Sequence, residues 1–156
     1  MTEKQILKKL QNDEDYYGDF GKQFLSNSNI ESLTTEPRQF QAPQKDGEAF
    51  VKGRYFHQLI LEPEKAKDFL IFDTTSRGTN VYKNFIADNK IDYALLPSDA
   101  LLIQEMVKST LSNFKFFDLI KDPSAKYEVP AVGEIMGVKW KGKADILTDD
   151  YVIDLK

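Results

Sequence analysis

Cysteine is absent from this sequence of 156 residues. Its absence excludes disulfides, cysteine-ligated zinc and cysteine-held iron–sulfur clusters, and it fits a reducing cytosol. Long apolar runs are missing as well, since no stretch approaches the roughly 20 apolar residues of a membrane-spanning helix. Residues 1–10 have amphipathic helical spacing and lack the apolar region of a signal peptide. We therefore expect a cytoplasmic protein that makes no contact with a membrane.

An excess of positive charge is also missing. The net charge is −4 and the sequence pI is about 5.1, which argues against a protein that coats DNA through a large basic surface. A nuclease stays possible, because its carboxylates can hold metal while its basic residues line one groove. Apolar residues make up 41% and charged residues 29%, as in ordinary globular proteins. We expect one domain over 1–156, with an N-terminal helix and arm in 1–23.

Apolar spacing and proline positions predict the elements of the first two thirds of the chain. A helix is expected over 48–61, where Pro63 stops it, a second over 81–87, and a third after Ser98 as its N-cap. The short apolar run 68–72 predicts a strand, and the acidic, aromatic segment 13–19 predicts a loop or arm.

The last part of the chain has the pattern of a sheet. Three short runs, 134–140, 143–147 and 151–155, are separated by turn signals at Lys141-Gly142 and at 148–150. This arrangement predicts a three-stranded antiparallel meander. Because helices precede an antiparallel sheet, the fold class is predicted to be α/β in the broad sense, more narrowly α+β.

The residues that carry chemistry lie in this meander. Asp154 and Lys156 are two apart on one strand and therefore project from the same face, and a short hairpin can place Asp145 beside Asp154. Adjacent carboxylates repel unless a cation lies between them, and such oxygen ligands suit Mg²⁺ or Mn²⁺. A neighbouring lysine can stabilise charge on an attacked phosphate or help to deprotonate water. The pattern indicates metal-dependent phosphodiester hydrolysis.

The Asp-x-Lys motif alone is weak evidence. About three acidic-x-Lys matches are expected by chance in a chain of this composition, and a second one occurs at Asp88-Asn89-Lys90. The plainer interpretation of 154–156 is a solvated, charged sheet edge. A lone helix histidine such as His57, the single histidine of the sequence, is likewise more often a packed residue than a ligand.

His57, however, follows Gly53 at the spacing Gly-x-x-x-His and precedes Leu61-Glu62-Pro63. This segment resembles a helix of RecE-type and other RecB-like phage nucleases of the PD-(D/E)xK class. The resemblance extends in the same order over roughly residues 24–156 through three more segments: Leu25-Ser26-Asn27-Ser28, Trp140-Lys141-Gly142-Lys143-Ala144-Asp145 and Tyr151-Val152-Ile153-Asp154-Leu155-Lys156.

The resemblance implies a restriction-endonuclease-like core with a metal site for Mg²⁺ or Mn²⁺. His57, Asp145 and Asp154 would be metal ligands together with the backbone carbonyl of Leu155. Lys156 would be the catalytic lysine, and Glu134 an acid that supports the site. Five basic residues are expected to contact DNA phosphates: Arg54, Arg77, Lys139, Lys141 and Lys143.

The resemblance also implies an exonuclease that acts on double-stranded DNA ends, encoded by a phage and used in recombination or DNA degradation. A single-strand annealing protein would be its partner, and it could assemble into a homo-oligomeric ring. Two alternatives stay open: a metal-dependent endonuclease with the same site, and a truncated, non-catalytic DNA-binding or protein-interaction module. Family members continue past the lysine with a helix and a strand, so we expect this chain to be an incomplete domain with weak activity. The related branch with cysteine-held iron–sulfur clusters is excluded.

Overall fold

A computed structural model describes residues 1–42 and 45–155. Within them the chain forms two compact units. The sheet unit contains 1–42 and 124–154, and the helical unit contains 45–123 together with Leu155. The class is α+β, as predicted, and the expectation of one domain over 1–156 stays a prediction. No helix among the described residues has both the length and the apolar character needed to cross a membrane.

The sheet unit begins with three helices and ends with three strands. The helices are α1 (Glu3–Leu10), α2 (Asp13–Tyr17) and α3 (Asn27–Thr35), with short 3₁₀ turns at Gly21–Gln23 and Pro37–Gln39. The strands, β1 (Lys126–Ile135), β2 (Val138–Leu147) and β3 (Val152–Ile153), pair antiparallel in the order β1-β2-β3. The predicted meander is therefore confirmed.

Capping and burial explain how the first helices form and where they pack. Thr2 caps α1 in a capping box with Gln5, which satisfies two N–H groups of the helix start. The Asn12 side chain accepts from the Glu14 N–H at 2.8 Å and starts α2, so the prediction of a loop or arm over 13–19 was wrong. Leu10 of α1 and Ile146 of β2 are completely buried and belong to the core of this unit.

The position of the first hairpin differs from the prediction. The turn lies at Met136-Gly137, whose φ angles are 52° and 76°, and two successive positive φ values are what a two-residue type I′ hairpin requires. The predicted turn at Lys141-Gly142 lies inside β2, where Gly142 pairs with Ala131. Thus the predicted run 134–140 spans the turn, and most of β1 precedes it.

The second hairpin agrees with the predicted turn at 148–150. The Thr148 hydroxyl accepts from the Tyr151 N–H at 2.9 Å, and the Thr148 N–H donates to the Tyr151 carbonyl at 2.9 Å. These bonds close a tight turn and fix the register of β3 against β2, with Ile146 opposite Ile153 and Leu147 opposite Val152.

The helical unit contains five helices in its described part: α4 (Glu48–Leu61), α5 (Pro63–Ala66), α6 (Asn80–Asn89), α7 (Pro97–Ser112) and α8 (Phe114–Ile120). Its main core joins Val51 and Tyr55 of α4 with Ala100 and Ile103 of α7 and with Leu95, which precedes α7. The predicted helix 48–61 is confirmed at both ends, and the predicted helix 81–87 lies within α6.

Two predictions in this unit were wrong. Leu96, and not Ser98, is the N-cap of α7. The Asp99 carboxylate accepts from the Leu96 N–H at 3.1 Å, and the helix therefore begins two residues earlier than predicted. The segment 68–72 does not form a full strand. Its extended pairing is a single parallel bridge between Ile71 and Leu95.

Candidate metal centre

Asp145 lies on β2, and Asp154 directly follows β3, the strand that pairs antiparallel with β2. Ile146 pairs with Ile153, and the same register extended by one residue places Asp154 opposite Asp145. Because side chains alternate along a strand, Asp145 projects from the face opposite to the completely buried Ile146. Asp145 is half-buried and Asp154 is exposed. Both acids are therefore accessible to solvent, Asp145 on the central strand and Asp154 just after the third.

A third acid, Glu128, completes a row across the sheet. Tyr127 pairs with Ile146 and Val129 with Ala144, so Glu128 stands opposite Asp145. A carboxylate oxygen of Glu128 lies within 4.8 Å of one of Asp145. We call Glu128, Asp145 and Asp154 the acid row; each strand, or the residue that directly follows it, contributes one member.

The structure places Glu134 away from the acid row. Glu134 is exposed and pairs with Lys139 near the hairpin turn. It lies six residues after Glu128 on β1, which corresponds to about 20 Å at the rise of an extended strand. The acid on β1 that faces Asp145 is therefore Glu128.

Lys143 is the cation next to the acid row. It is two residues from Asp145 on β2, and its Nζ lies 3.4 Å from Glu128 and 2.6 Å from Asp13 of α2, with only 8% of the side chain exposed. Burial acts to lower the pKa of Lys143, but the hydrogen bond with Asp13 and the neighbouring negative charges outweigh it and raise the pKa above its ordinary value. Lys143 is therefore held as a cation shared between two carboxylates.

His57 and Leu155 form a second arrangement of predicted ligand atoms, within the helical unit. His57 lies on α4, and its Nε2 is 3.0 Å from the backbone carbonyl oxygen of Leu155. Leu155 directly follows Asp154 in the chain. The structure thus brings together the two ligands of this unit that the sequence predicted. The assignment of this pair and the acid row to one ion stays a prediction.

The side chains expected to contact phosphates have protein partners in four of five cases. Arg54 makes a forked pair with Asp46 at 2.6 and 3.0 Å. Arg77 pairs with the buried Asp99. In the sheet unit, Lys141 donates to the backbone carbonyl of Tyr16 and lies over its ring at 4.2 Å, and Lys143 is held as described above. Lys139 is exposed.

Lys156, the predicted catalytic lysine, lies outside the described residues. Glu128 was not predicted from the sequence, because the first hairpin turn was placed at Lys141-Gly142. Had the turn been placed at Met136-Gly137, simple counting along the two strands would have put Glu128 opposite Asp145.

Comparison with known proteins gives the family and a structural relative of this chain. A family model described as a PDDEXK-like domain of unknown function (DUF3799) matches residues 21–156. The crystal structure of a presumed exonuclease from Eubacterium rectale has the same fold, with a TM-score of 0.58 and 17% sequence identity. The match covers 88% of this chain and 50% of that one, so the chain spans about half the length of this structural relative. No curated protein matches the chain.

Proposed function

This chain belongs to the family of PDDEXK-like domains, and we propose that it is a metal-dependent deoxyribonuclease that hydrolyses phosphodiester bonds at the ends of double-stranded DNA. The observation that carries the proposal is the acid row, in which Glu128 and Asp145 lie within 4.8 Å of each other on β1 and β2 and Asp154 directly follows β3. Neighbouring carboxylates repel one another, and Lys143 is shared with Asp13. A divalent cation bound between the carboxylates would relieve this repulsion.

The donor atoms of the acid row fit Mg²⁺ or Mn²⁺. All of them are carboxylate oxygens, the ligands these ions prefer. A bound divalent cation would neutralise the carboxylates and polarise a phosphodiester. His57 Nε2 and the Leu155 carbonyl oxygen lie 3.0 Å apart, and both are atoms that could donate an electron pair to a divalent ion. His57 and Leu155 are therefore proposed as further ligands, and Lys156 as the catalytic lysine.

The finer parts of the proposal rest on the resemblance to RecE-type and RecB-like nucleases. The exonuclease description of the structural relative supports attack at DNA ends. Phage origin, action in the bacterial cytoplasm, a single-strand annealing partner and a homo-oligomeric ring are proposed on the same basis. They are properties of a whole protein, and this chain spans about half the length of its structural relative.

The substrate is tested with the full-length protein on two duplex DNAs of equal sequence, one linear and one covalently closed. With Mg²⁺ or Mn²⁺ we expect the linear DNA to be degraded and the circle to persist. Chelation should abolish the activity, and Ca²⁺ should support it poorly because its larger, looser oxygen shell positions the reactants badly. Asp154→Asn should be inactive, with Asp150→Asn, an exposed acid of the adjacent turn, as the matched control.

The other outcomes have definite meanings. Cleavage of the circle would replace the exonuclease by an endonuclease with the same site. DNA binding without cleavage of either substrate, under any metal, would leave a non-catalytic DNA-binding module. Full activity of Asp154→Asn would contradict the site itself.

A further inference from the structure

Two side chains that precede the family-matched region act on Glu128 of the acid row, one by direct contact and the other through Lys143. The family model begins at residue 21, whereas Gln11 and Asp13 lie at the end of α1 and the start of α2. Gln11 acts on the backbone of Glu128, and Asp13 acts on Lys143, whose Nζ lies beside the Glu128 carboxylate. We call Gln11 and Asp13 the N-terminal clamp.

The backbone of Glu128 is in a conformation that needs support. Its φ of 52° lies in the left-handed region although the residue is inside strand β1. For a residue other than glycine this conformation is strained, and such residues persist where their surroundings hold them. Gln11 Nε2 donates a hydrogen bond of 3.1 Å to the Glu128 carbonyl oxygen. The carbonyl is thereby fixed from outside the sheet.

The carboxylate of Glu128 is controlled through Lys143. Asp13 accepts from Lys143 Nζ at 2.6 Å, whereas Glu128 lies at the longer distance of 3.4 Å. The same Nζ lies 4.6 Å from the centre of the Tyr16 ring. The lysine is therefore bound most closely to α2, and Glu128 keeps a looser contact with it. Without Asp13, Lys143 would be left to pair with Glu128 alone.

The helix that supplies Asp13 is itself fastened to the sheet. Tyr16 is 7% exposed, and its backbone carbonyl accepts from Lys141 of β2. Burial and, to a smaller extent, the neighbouring Tyr17 raise the pKa of the Tyr16 phenol to about 12. The phenol therefore stays neutral over the working pH range. Asp13 is consequently presented from a fixed element, although its own side chain is half exposed at 53%.

We infer that Gln11 and Asp13 are positioning residues, which hold Glu128 in its left-handed conformation and keep Lys143 from pairing more closely with the Glu128 carboxylate. The inference rests on the proposed function, because it assigns Glu128 to the metal site. It adds that the segment ahead of the family-matched region tunes the metal affinity and the turnover of that site.

Asp13→Asn tests the carboxylate arm of the clamp in the full-length protein. We expect the Mn²⁺ affinity measured by calorimetry to fall about 10-fold, as typical of outer-shell changes, because Lys143 then competes with the ion for Glu128. Activity should recover when Mn²⁺ is raised in proportion. Asp13→Glu, which restores the carboxylate, should return the affinity to near wild type. Asp15→Asn on the same helix, whose partner is Lys9 at 3.6 Å, is the matched control.

Gln11→Ala tests the backbone arm. At saturating Mn²⁺ we expect kcat to fall about 10-fold while KM for DNA changes less than about 2-fold, since the DNA-contacting surface is untouched. A merely structural contact would lower the melting temperature without changing the Mn²⁺ affinity or kcat of the folded protein. If both clamp variants match Asp15→Asn in Mn²⁺ affinity and kcat, the inference is overturned. Asp145→Asn, measured in parallel, distinguishes failure of this inference from failure of the proposed function. Wild-type Mn²⁺ affinity in that variant would overturn the proposed function.

Discussion

Two residues of the first hairpin, Glu128 and Met136, have the same left-handed backbone φ of 52° in different surroundings. Met136 lies in the turn, is 99% exposed and is followed by Gly137 with φ of 76°. A two-residue hairpin requires this conformation of whichever residue occupies the position. Its cause is therefore the connection between the two strands.

Glu128 lies inside the strand, where no such connection imposes the conformation. Only 21% of its side chain is exposed, its carbonyl accepts from Gln11, and its carboxylate lies 3.4 Å from Lys143 and opposite Asp145. Unusual backbone conformations that are held by several contacts cluster at functional sites. Met136 therefore has its conformation because of the turn, whereas the conformation of Glu128 is held by contacts of its carbonyl and carboxylate groups.

The largest expected effect comes from one replacement made at both positions. Glu128→Gln should lower nuclease activity by about 100-fold or more, since changes to the outer partners of a metal site already cost 10- to 100-fold. Met136→Gln should leave activity near wild type, because that side chain is fully exposed at the turn. Initial rates on linear duplex DNA measure both. Equal rates for the two variants would contradict a role in activity for Glu128 that Met136 lacks.

Replacement of a carboxylate with a structural role should lower stability and leave activity unchanged. Asp99 is 9% exposed and accepts from Lys52 at 2.9 Å, from Arg77 and from the Leu96 N–H. Asp99→Asn removes the carboxylate that pairs with Arg77 and leaves Lys52 paired with Glu48, and we expect the free energy of unfolding to fall by about 1–3 kcal/mol, less than for a fully buried pair. Activity per folded molecule should not change.

Denaturant unfolding measures the effect of Asp99→Asn, with Asp118→Asn on the exposed surface of α8 as the control. Lost activity of Asp99→Asn at unchanged stability would remove the distinction between structural and functional acids.

The same carboxylate predicts how stability depends on pH. Burial acts to raise the pKa of Asp99, but the Lys52 hydrogen bond, the Leu96 N–H and Arg77 outweigh it, so the pKa lies below its ordinary 3.8. A lowered folded-state pKa contributes stability that is present above the ordinary value and is lost as the pH falls through the folded value. We expect wild type to lose stability below about pH 4 more steeply than Asp99→Asn. Unfolding curves between about pH 2 and 6 measure the two slopes, and equal slopes would contradict this role.

The smallest expected effect is a gain in stability at the turn. Met136→Asn creates Asn-Gly, the sequence most typical of a type I′ hairpin, and should raise the free energy of unfolding by about 0.5–1 kcal/mol. Glu128→Asn also suits a left-handed residue, but it shortens the carboxylate side chain and removes its charge, so activity should be lost with little gain in stability. A loss of stability in Met136→Asn would mean that the turn is not what holds this φ.

The sequence predicted those parts of the molecule whose cause is local. The helix over 48–61 is specified by amphipathic spacing and stopped by Pro63, and it forms with both ends as predicted. The second hairpin was placed correctly because its turn has its own polar signal at Thr148. The first hairpin was misplaced because methionine before glycine is a weak turn signal.

The parts that were not predicted depend on contacts distant in sequence. Lys143 was expected to contact DNA because nothing near it in sequence shows that Asp13, 130 residues away, would hold it. Glu128 was missed because its partner Asp145 can be found only once the hairpin register is known. A strand with a left-handed residue also breaks the alternation by which sequence patterns assign faces.

The central claim is that the acid row holds a divalent metal ion, and Mn²⁺ titration calorimetry of wild type, Asp145→Asn and Asp150→Asn tests it most directly. Asp145 is the middle member of the row, whereas Asp150 is exposed in the neighbouring turn, so the two variants lose the same charge at different places. We predict that wild type and Asp150→Asn bind Mn²⁺ alike and that Asp145→Asn binds at least about 100-fold more weakly. Wild-type affinity in Asp145→Asn would contradict the account.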